Sequence, residues 1–169
     1  MLEIVSYRLS GTGVWGYSYY HGTEYVGETS CQIGPSSTVG ITGEDLVWYS
    51  PFRIDTYVVP GVSRRVKDNR TDEELYRLIF WRPGLYEFVA RTDRGDWSMT
   101  AEERNGMYLF GKEGMPVSAI MERLYEADWI PPLGRQTQVE PAFRTKFFEQ
   151  EDSPGFLMMV LSFPALKMI

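Results

Sequence analysis

The segment that most constrains this fold is an apolar run near the C-terminus, Phe156-Leu157-Met158-Met159-Val160-Leu161-Ser162-Phe163. Ser153 and Pro154 precede it as an N-cap and a first-turn proline, and Pro164 follows as a residue that ends or kinks a helix. These signals predict a helix over residues 153–163. A helix that is apolar on all sides has no face for water, so protein or lipid must enclose it. Because the run is about half of the ~20 residues that cross a bilayer, we expect a core helix rather than a membrane anchor.

Size and composition indicate one mainly β domain over residues 1–169. A chain of 169 residues is long enough to bury a substantial core without disulfides or metals. Aromatic residues make up 15% of the chain, and such side chains favour pleated, half-buried strands. No fixed-period repeat and no linker divides the sequence, so we expect a single domain.

Charge and cysteine content exclude several classes of function. The formal net charge of −6 argues against nucleic acid as a partner. Cys31 is the only cysteine, which rules out an intramolecular disulfide and a thiolate metal cluster. The first residues, Met1-Leu2-Glu3-Ile4-Val5-Ser6-Tyr7, resemble a strand and lack the features of a signal peptide. We therefore expect a cytoplasmic protein with no cofactor and no transmembrane segment.

Turn residues divide the chain into short strands. Residues 75–81 and 85–91 flank Arg82-Pro83-Gly84, and the second stretch alternates apolar and polar residues as a strand wetted on one side does. Asn105-Gly106 predicts a type I′ hairpin turn, since both residues accept positive φ. The charged segment 63–74 is predicted to be a long surface loop. The segment 115–124 is predicted to be a strand or a short helix.

Many short strands followed by one obligatorily buried helix predict an antiparallel barrel. Small barrels fill their interior with side chains or leave a cavity for one ligand. Here the helix is a candidate to fill the interior. Burying its large apolar side chains contributes on the order of 10 kcal/mol before the entropy cost, which is comparable with the net stability of a domain. We therefore expect the protein not to fold without this helix.

Several patterns together resemble the tubby C-terminal-domain superfamily, which includes the LURP-one-related proteins and is related to the phospholipid scramblases. The patterns are Tyr76-Arg77-Leu78-Ile79-Phe80, Tyr86-Glu87-Phe88-Val89, Gly114-Met115-Pro116-Val117-Ser118-Ala119-Ile120 and the C-terminal apolar run. The resemblance implies a closed antiparallel barrel of about twelve strands around a buried hydrophobic C-terminal helix. Some relatives bind phosphoinositide head groups through surface Lys and Arg, and the net acidity of this chain departs from that pattern. No catalytic or metal-binding motif of the scramblases matches here.

One basic cluster is the candidate ligand-binding site. Arg64, Arg65, Lys67 and Arg70 place four positive charges within seven residues. Arginines in such a cluster can hold the phosphate of an anionic lipid head group through bidentate contacts. The alternative is a solvated loop whose charge is balanced by the neighbouring acidic residues.

Candidates for catalysis are few. His21 is the only histidine, and it is most simply a hairpin-turn residue. Cys31 can act as a nucleophile only with a base such as His21 beside it, and a buried structural thiol is the alternative. Glu102 and Glu103 point to opposite faces if their segment is a strand, so they do not share an acid–base site. Gly11-Thr12-Gly13-Val14-Trp15-Gly16 fits a dinucleotide-binding pattern by spacing but lacks the βαβ context.

The sequence thus predicts a non-enzymatic binding or scaffolding protein, with a phospholipid or a protein partner on its outer surface. The alternative is a lipocalin-like carrier, or a small barrel enzyme, whose aromatic side chains line an interior pocket. The position of the C-terminal helix separates the two, because a helix inside the barrel leaves little room for a ligand.

Overall fold

The computed structural model describes residues 1–11, 13–32, 39–47, 50–149 and 155–169. Within these residues it contains twelve strands and one helix. In chain order they are β1 (Leu2–Gly11), β2 (Val14–His21), β3 (Glu24–Gln32), β4 (Val39–Val47), β5 (Ser50–Val59), β6 (Arg64–Asp68), β7 (Glu74–Arg82), β8 (Leu85–Thr92), β9 (Gly95–Arg104), β10 (Met107–Gly111), β11 (Ala119–Arg123), β12 (Gln138–Phe147) and α1 (Phe156–Met168).

The strands form one closed antiparallel barrel in which each pairs with its neighbours in the chain. β12 pairs with β1 and closes the sheet, with Ile4 opposite Thr145. Each described strand therefore has a neighbouring strand on both sides. The predicted fold class, a mainly β barrel of about twelve strands with a C-terminal helix, is confirmed.

The C-terminal helix lies inside this barrel. Every residue of α1 from Phe156 to Leu166 is buried, so no side of the helix faces water. Phe163 packs edge-on against four aromatic rings of the barrel wall, with centroid distances of 4.9–6.0 Å. The four rings are those of Tyr86, Phe88, Tyr108 and Phe110. Among the described residues, none of the helical segments has the length and apolar character to cross a bilayer.

Buried hydroxyl groups connect the barrel wall to the helix. The Tyr19 hydroxyl donates to the Leu161 carbonyl at 3.0 Å, and the hydroxyls of Tyr76 and Ser162 are hydrogen-bonded at 3.1 Å. Burial raises the pKa of both tyrosines, although the hydrogen bonds to Thr29 and Ser162 oppose the shift. Both phenols therefore stay neutral and serve as hydrogen-bonding groups inside an apolar core.

The observed helix differs from the prediction at both ends. It begins at Phe156, with Gly155 as the N-cap in a left-handed conformation (φ 77°), rather than at the predicted Ser153. Ser153 and Pro154 lie outside the described residues. At the other end the helix continues through Pro164 to Met168. Proline removes one backbone hydrogen bond, but the enclosing wall buries the residues beyond it, and this packing keeps the chain helical.

The strand predictions are confirmed in mid-chain and wrong in one charged segment. Asn105 and Gly106 both have positive φ, 52° and 76°, as the predicted type I′ turn requires. Segment 115–124 is a strand over its second half, β11. The predicted loop over residues 63–74 instead contains β6, because Val66 is fully buried and pairs with Val58 and Tyr76 on either side.

Candidate functional site

A hollow on the outer surface of the barrel lies over β7, β8 and the start of β9. Its volume is about 670 Å³, which falls within the range of small-ligand sites. The lining residues come from the two strands and from the turns at one end of them: Glu73, Glu74, Arg77, Ile79, Val89, Arg91, Thr92, Asp93 and Asp96.

The period-2 alternation of the strands sends these side chains outward. In β7, Tyr76 and Leu78 are buried inside the barrel, so Arg77 and Ile79 face outward between them. In β8, Phe88 is buried and its neighbour Val89 faces the solvent side. Ile79 and Val89 are half-buried and give the hollow an apolar floor.

The rim of the hollow is more acidic than basic. Four of its lining residues are acidic and two are arginines. The Arg77 guanidinium contacts both carboxylate oxygens of Glu74, at 3.1 and 3.3 Å. Arg91 lies directly opposite Asp96 in the β8–β9 register. The remaining acidic groups, Glu73 and Asp93, leave the hollow with excess negative charge.

The four predicted basic residues do not form one cluster. Arg64 turns toward the interior end of the barrel, where it donates to the backbone carbonyls of Gly61 at 2.6 Å and of Ile169. Its guanidinium also lies over the Phe80 ring, 4.7 Å from the centroid. Burial lowers the pKa of the Arg64 guanidinium from its usual high value. Arg64 thus contacts the end of the helix, and its hydrogen bonds direct the guanidinium away from the other three basic side chains.

The other three basic residues lie on the outside of β6 and in the turn after it. Arg65 is exposed and lies opposite Arg77 in the β6–β7 register. Lys67 is 3.8 Å from a carboxylate oxygen of Asp72, and Arg70 is 3.3 Å from one of Asp68. Hydrogen bonds from the backbone and side chain of Arg70 lower the pKa of the Asp68 carboxyl. Arg65 and Lys67 therefore both lie beside the hollow, opposite its lining residues Arg77 and Glu74.

Lys167 provides a second cation near the end of the helix. Its ammonium group donates to the Tyr108 hydroxyl at 2.8 Å and lies 3.5 Å from a carboxylate oxygen of Glu103. Partial burial lowers the pKa of Lys167, but the hydrogen bond to Tyr108 and the nearby Tyr86 and Glu103 outweigh burial and raise it overall. A cation at this position also interacts favourably with the negative, C-terminal end of the helix dipole.

The two residues considered for nucleophilic catalysis are far apart. His21 lies at the β2–β3 turn and is exposed, whereas Cys31 is buried at the other end of β3. Cys31 lies seven positions along β3 from Glu24, the partner of His21, which corresponds to roughly 23 Å. Burial raises the pKa of the Cys31 thiol to about 12, so it stays protonated and unreactive. The structural interpretation of Cys31 is the one that fits.

The other candidate motifs have structural roles. Glu102 and Glu103 face opposite sides of β9, as predicted: Glu102 pairs with Arg104 at 3.0 Å, and Glu103 faces Lys167. Gly16 belongs to the glycine pattern, and a Cβ atom there would meet the Thr29 carbonyl at 2.0 Å, so close strand packing requires this glycine. Within the described residues no group of three His, Cys, Asp or Glu side chains is arranged to hold a metal ion.

Sequence reasoning missed the hollow, although part of its signal was present. The alternation in residues 76–91 identifies Arg77, Ile79, Val89 and Arg91 as outward-facing. It does not show that the turns carrying Glu73 and Asp93 border the same hollow at one end of these strands, because that depends on how the barrel curves and how its strands are staggered.

Comparison with known proteins assigns no family. No protein-family model, no curated protein and no solved structure matches the chain. The barrel around a C-terminal helix agrees with the architecture that the tubby-like resemblance implies. Membership of that superfamily stays a prediction, since an architecture alone does not identify a family.

Proposed function

We propose that this protein is a non-enzymatic binding protein that recognises a protein partner on the outer surface of its barrel, at the hollow over β7–β9. The observation that carries the proposal is the burial of α1, in which every residue from Phe156 to Leu166 is buried. Side chains of the helix and of the wall occupy the space that a lipocalin-like carrier keeps for its ligand. Recognition is then a property of the outer surface.

The same packing argues against an enzyme with an interior site. Three buried groups of the described chain that can take part in acid–base or nucleophilic chemistry are Tyr19, Tyr76 and Cys31, and burial raises the pKa of each. All three therefore hold their protons at neutral pH, and the hydroxyls of Tyr19 and Tyr76 bond to the helix.

A phospholipid head group is a second candidate, and Arg65 is the observation that favours it. Arg65 and Arg77 lie opposite each other on neighbouring strands of the outer surface, a placement that can hold a phosphate between two guanidinium groups. The pairing of Arg77 with Glu74 and the acidic rim weaken this candidate. It predicts salt-sensitive binding to anionic vesicles that falls when Arg65 becomes Ala; equal retention on neutral vesicles contradicts it.

A cavity probe tests the interior directly. Benzene or xenon enters engineered apolar cavities, so we expect neither to bind the native protein and both to bind the Phe163→Ala variant. Phe163→Leu is the milder variant if Phe163→Ala does not fold. Saturable binding of a fatty acid or of benzene to the native protein would favour the carrier and contradict the proposal.

A site-specific crosslinker tests the outer surface. We place a photoreactive amino acid at Arg91, on the hollow, and in a separate variant at Glu113, in the exposed turn after β10. In cells that express the protein, we expect a discrete crosslinked protein from position 91 and not from position 113. Crosslinking from position 113 alone would show that the partner binds elsewhere on the barrel and would contradict the proposed location.

A further inference from the structure

We infer that the hollow over β7–β9 binds a basic side chain, arginine or lysine, on a segment of the partner protein. The inference rests on the proposed function and adds the chemistry of the ligand. Its basis is the combination of three features in one concave site: a half-buried apolar floor, a volume within the range of small-ligand sites, and an excess of carboxylates on the rim.

The floor suits the stem of a long basic side chain. Ile79 and Val89 are half-buried on the outer faces of adjacent strands. Arginine and lysine lay their methylene groups on such apolar surface while the charged end stays among polar groups. A short acidic ligand would bring no comparable apolar contact to these two residues.

The rim suits the charged end of that side chain. Glu73 and Glu74 precede and begin β7, whereas Asp93 and Asp96 belong to the β8–β9 hairpin, so the four carboxylates lie at the same end of the floor, on neighbouring strands and turns. Because Glu74 already contacts Arg77, and Arg91 lies opposite Asp96, the net charge of the lining remains negative. A guanidinium entering between Glu73 and Asp93 gains charge-assisted hydrogen bonds without displacing the Arg77–Glu74 pair.

The net charge of the whole chain also favours a basic guest. The whole chain carries a net charge of −6, which attracts a basic segment from a distance and repels an acidic one. The long-range field therefore acts with the local rim.

The test uses NMR of the methyl groups with two short peptides as probes. One is acetyl-Gly-Arg-Gly-Arg-Gly-amide and the other replaces each arginine with glutamine. We expect the arginine peptide to shift the methyl signals of Ile79 and Val89 in a saturable way, and the glutamine peptide to leave them unchanged. The double variant Asp93→Asn/Asp96→Asn should weaken binding about tenfold or more, as the loss of charge-assisted contacts predicts.

The matched control removes the same charge elsewhere. Glu113→Gln/Asp128→Asn changes two exposed acidic residues outside the hollow. We expect this variant to bind the arginine peptide within about twofold of the native protein, since only long-range attraction is weakened. Equal weakening by both double variants would overturn the inference, because binding would then follow the overall charge.

The position of the shifted methyl groups separates the two proposals. If the peptide or an anionic vesicle shifts outer methyl groups elsewhere and leaves Ile79 and Val89 unchanged, the inference fails and the outer-surface function survives. If the shifts fall on buried methyl groups such as those of Leu78 and Leu161, the ligand enters the barrel and both proposals fail.

Discussion

The inner and outer faces of strands β7 and β8 differ in what their side chains contact. On the inner face, Tyr76 bonds to Ser162, and Phe88 packs against Phe163. On the outer face, Ile79 and Val89 form the floor of a hollow that no other part of the described chain fills. The inner residues are constrained by what they touch, so a change there costs stability. The outer residues are constrained little by the fold, and they remain available for recognition.

Deletion of the helix is the most severe test of this comparison. The inner faces of the strands lose their partner if residues 156–169 are removed, and we expect no cooperative unfolding transition. Loss of near-ultraviolet circular dichroism, with exposure of apolar surface to a dye, is the measurement. A truncated protein that unfolds cooperatively at a similar denaturant concentration would show that the barrel does not need the helix.

Phe163→Ala should cost about 3–5 kcal/mol of unfolding free energy, the usual loss for a large aromatic side chain removed from a core. Val89→Ala, on the outer face, should cost about 1 kcal/mol or less. Urea denaturation of the two variants measures both values. Equal losses would contradict the division between the faces.

Alkaline pH should destabilise the inner face. Burial raises the pKa of the Cys31 thiol from its ordinary 9.0 to about 12. The thiol therefore stabilises the fold fully below pH 9, and this contribution is lost progressively as the pH rises toward 12. By pH 11 the loss from this group is roughly 2–3 kcal/mol. Tyr19 and Tyr76 act in the same direction above about pH 10, where an unfolded tyrosine ionises.

Unfolding free energy measured by urea between pH 7 and pH 11 checks this expectation. In Cys31→Ala the decline should begin about one pH unit higher, because only the tyrosines remain. A variant that declines from the same pH as the native protein would show that the thiol ionises freely in the folded state.

Arg64 and Arg65 are adjacent residues with opposite surroundings, and they repeat the comparison in β6. Arg64→Met should cost about 1–2 kcal/mol, because it loses the hydrogen bonds to two backbone carbonyls and the contact with the Phe80 ring. Arg65→Met should change stability by about 0.5 kcal/mol or less. Thermal or urea unfolding of the two variants measures the loss of stability. Similar losses of unfolding free energy would contradict the difference in surroundings between the two arginines.

The smallest expected effect on stability lies at the rim of the hollow. Asp93→Asn/Asp96→Asn should leave the unfolding free energy within about 0.5 kcal/mol of the native value, since both side chains are exposed. A large loss of unfolding free energy would mean that these carboxylates stabilise the β8–β9 hairpin, which would contradict a role limited to ligand binding.

Much of the fold was predictable because its signals are local. The pair Asn105-Gly106 specifies a turn through its backbone preferences, and the apolar segment after residue 155 has no face to give to water. Where local signals conflict with packing, packing prevails. Pro164 indicates a helix end, yet the wall around Ala165 and Leu166 keeps the chain helical beyond it.

The candidate site was less predictable for the same reason. Segment 63–74 is rich in charge, and only the burial of Val66 between β5 and β7 makes part of it a strand. Once β6 is a strand, alternation separates Arg64 from Arg65, and the predicted cluster divides. Because a loop has no regular alternation of side chains, predicting a loop here gave no indication that Arg64 and Arg65 lie on opposite faces.

The sequence by itself determined that the chain makes short antiparallel strands around a helix that must be enclosed, because periodicity and apolar runs are properties of neighbouring residues. Tertiary structure alone decided where the acidic turns at Glu73 and Asp93 stand. These residues are 20 positions apart, and they face the same hollow because β7 and β8 run antiparallel in a curved, closed wall. Closure and stagger are properties of the whole sheet, so the binding surface emerges only when the barrel is complete.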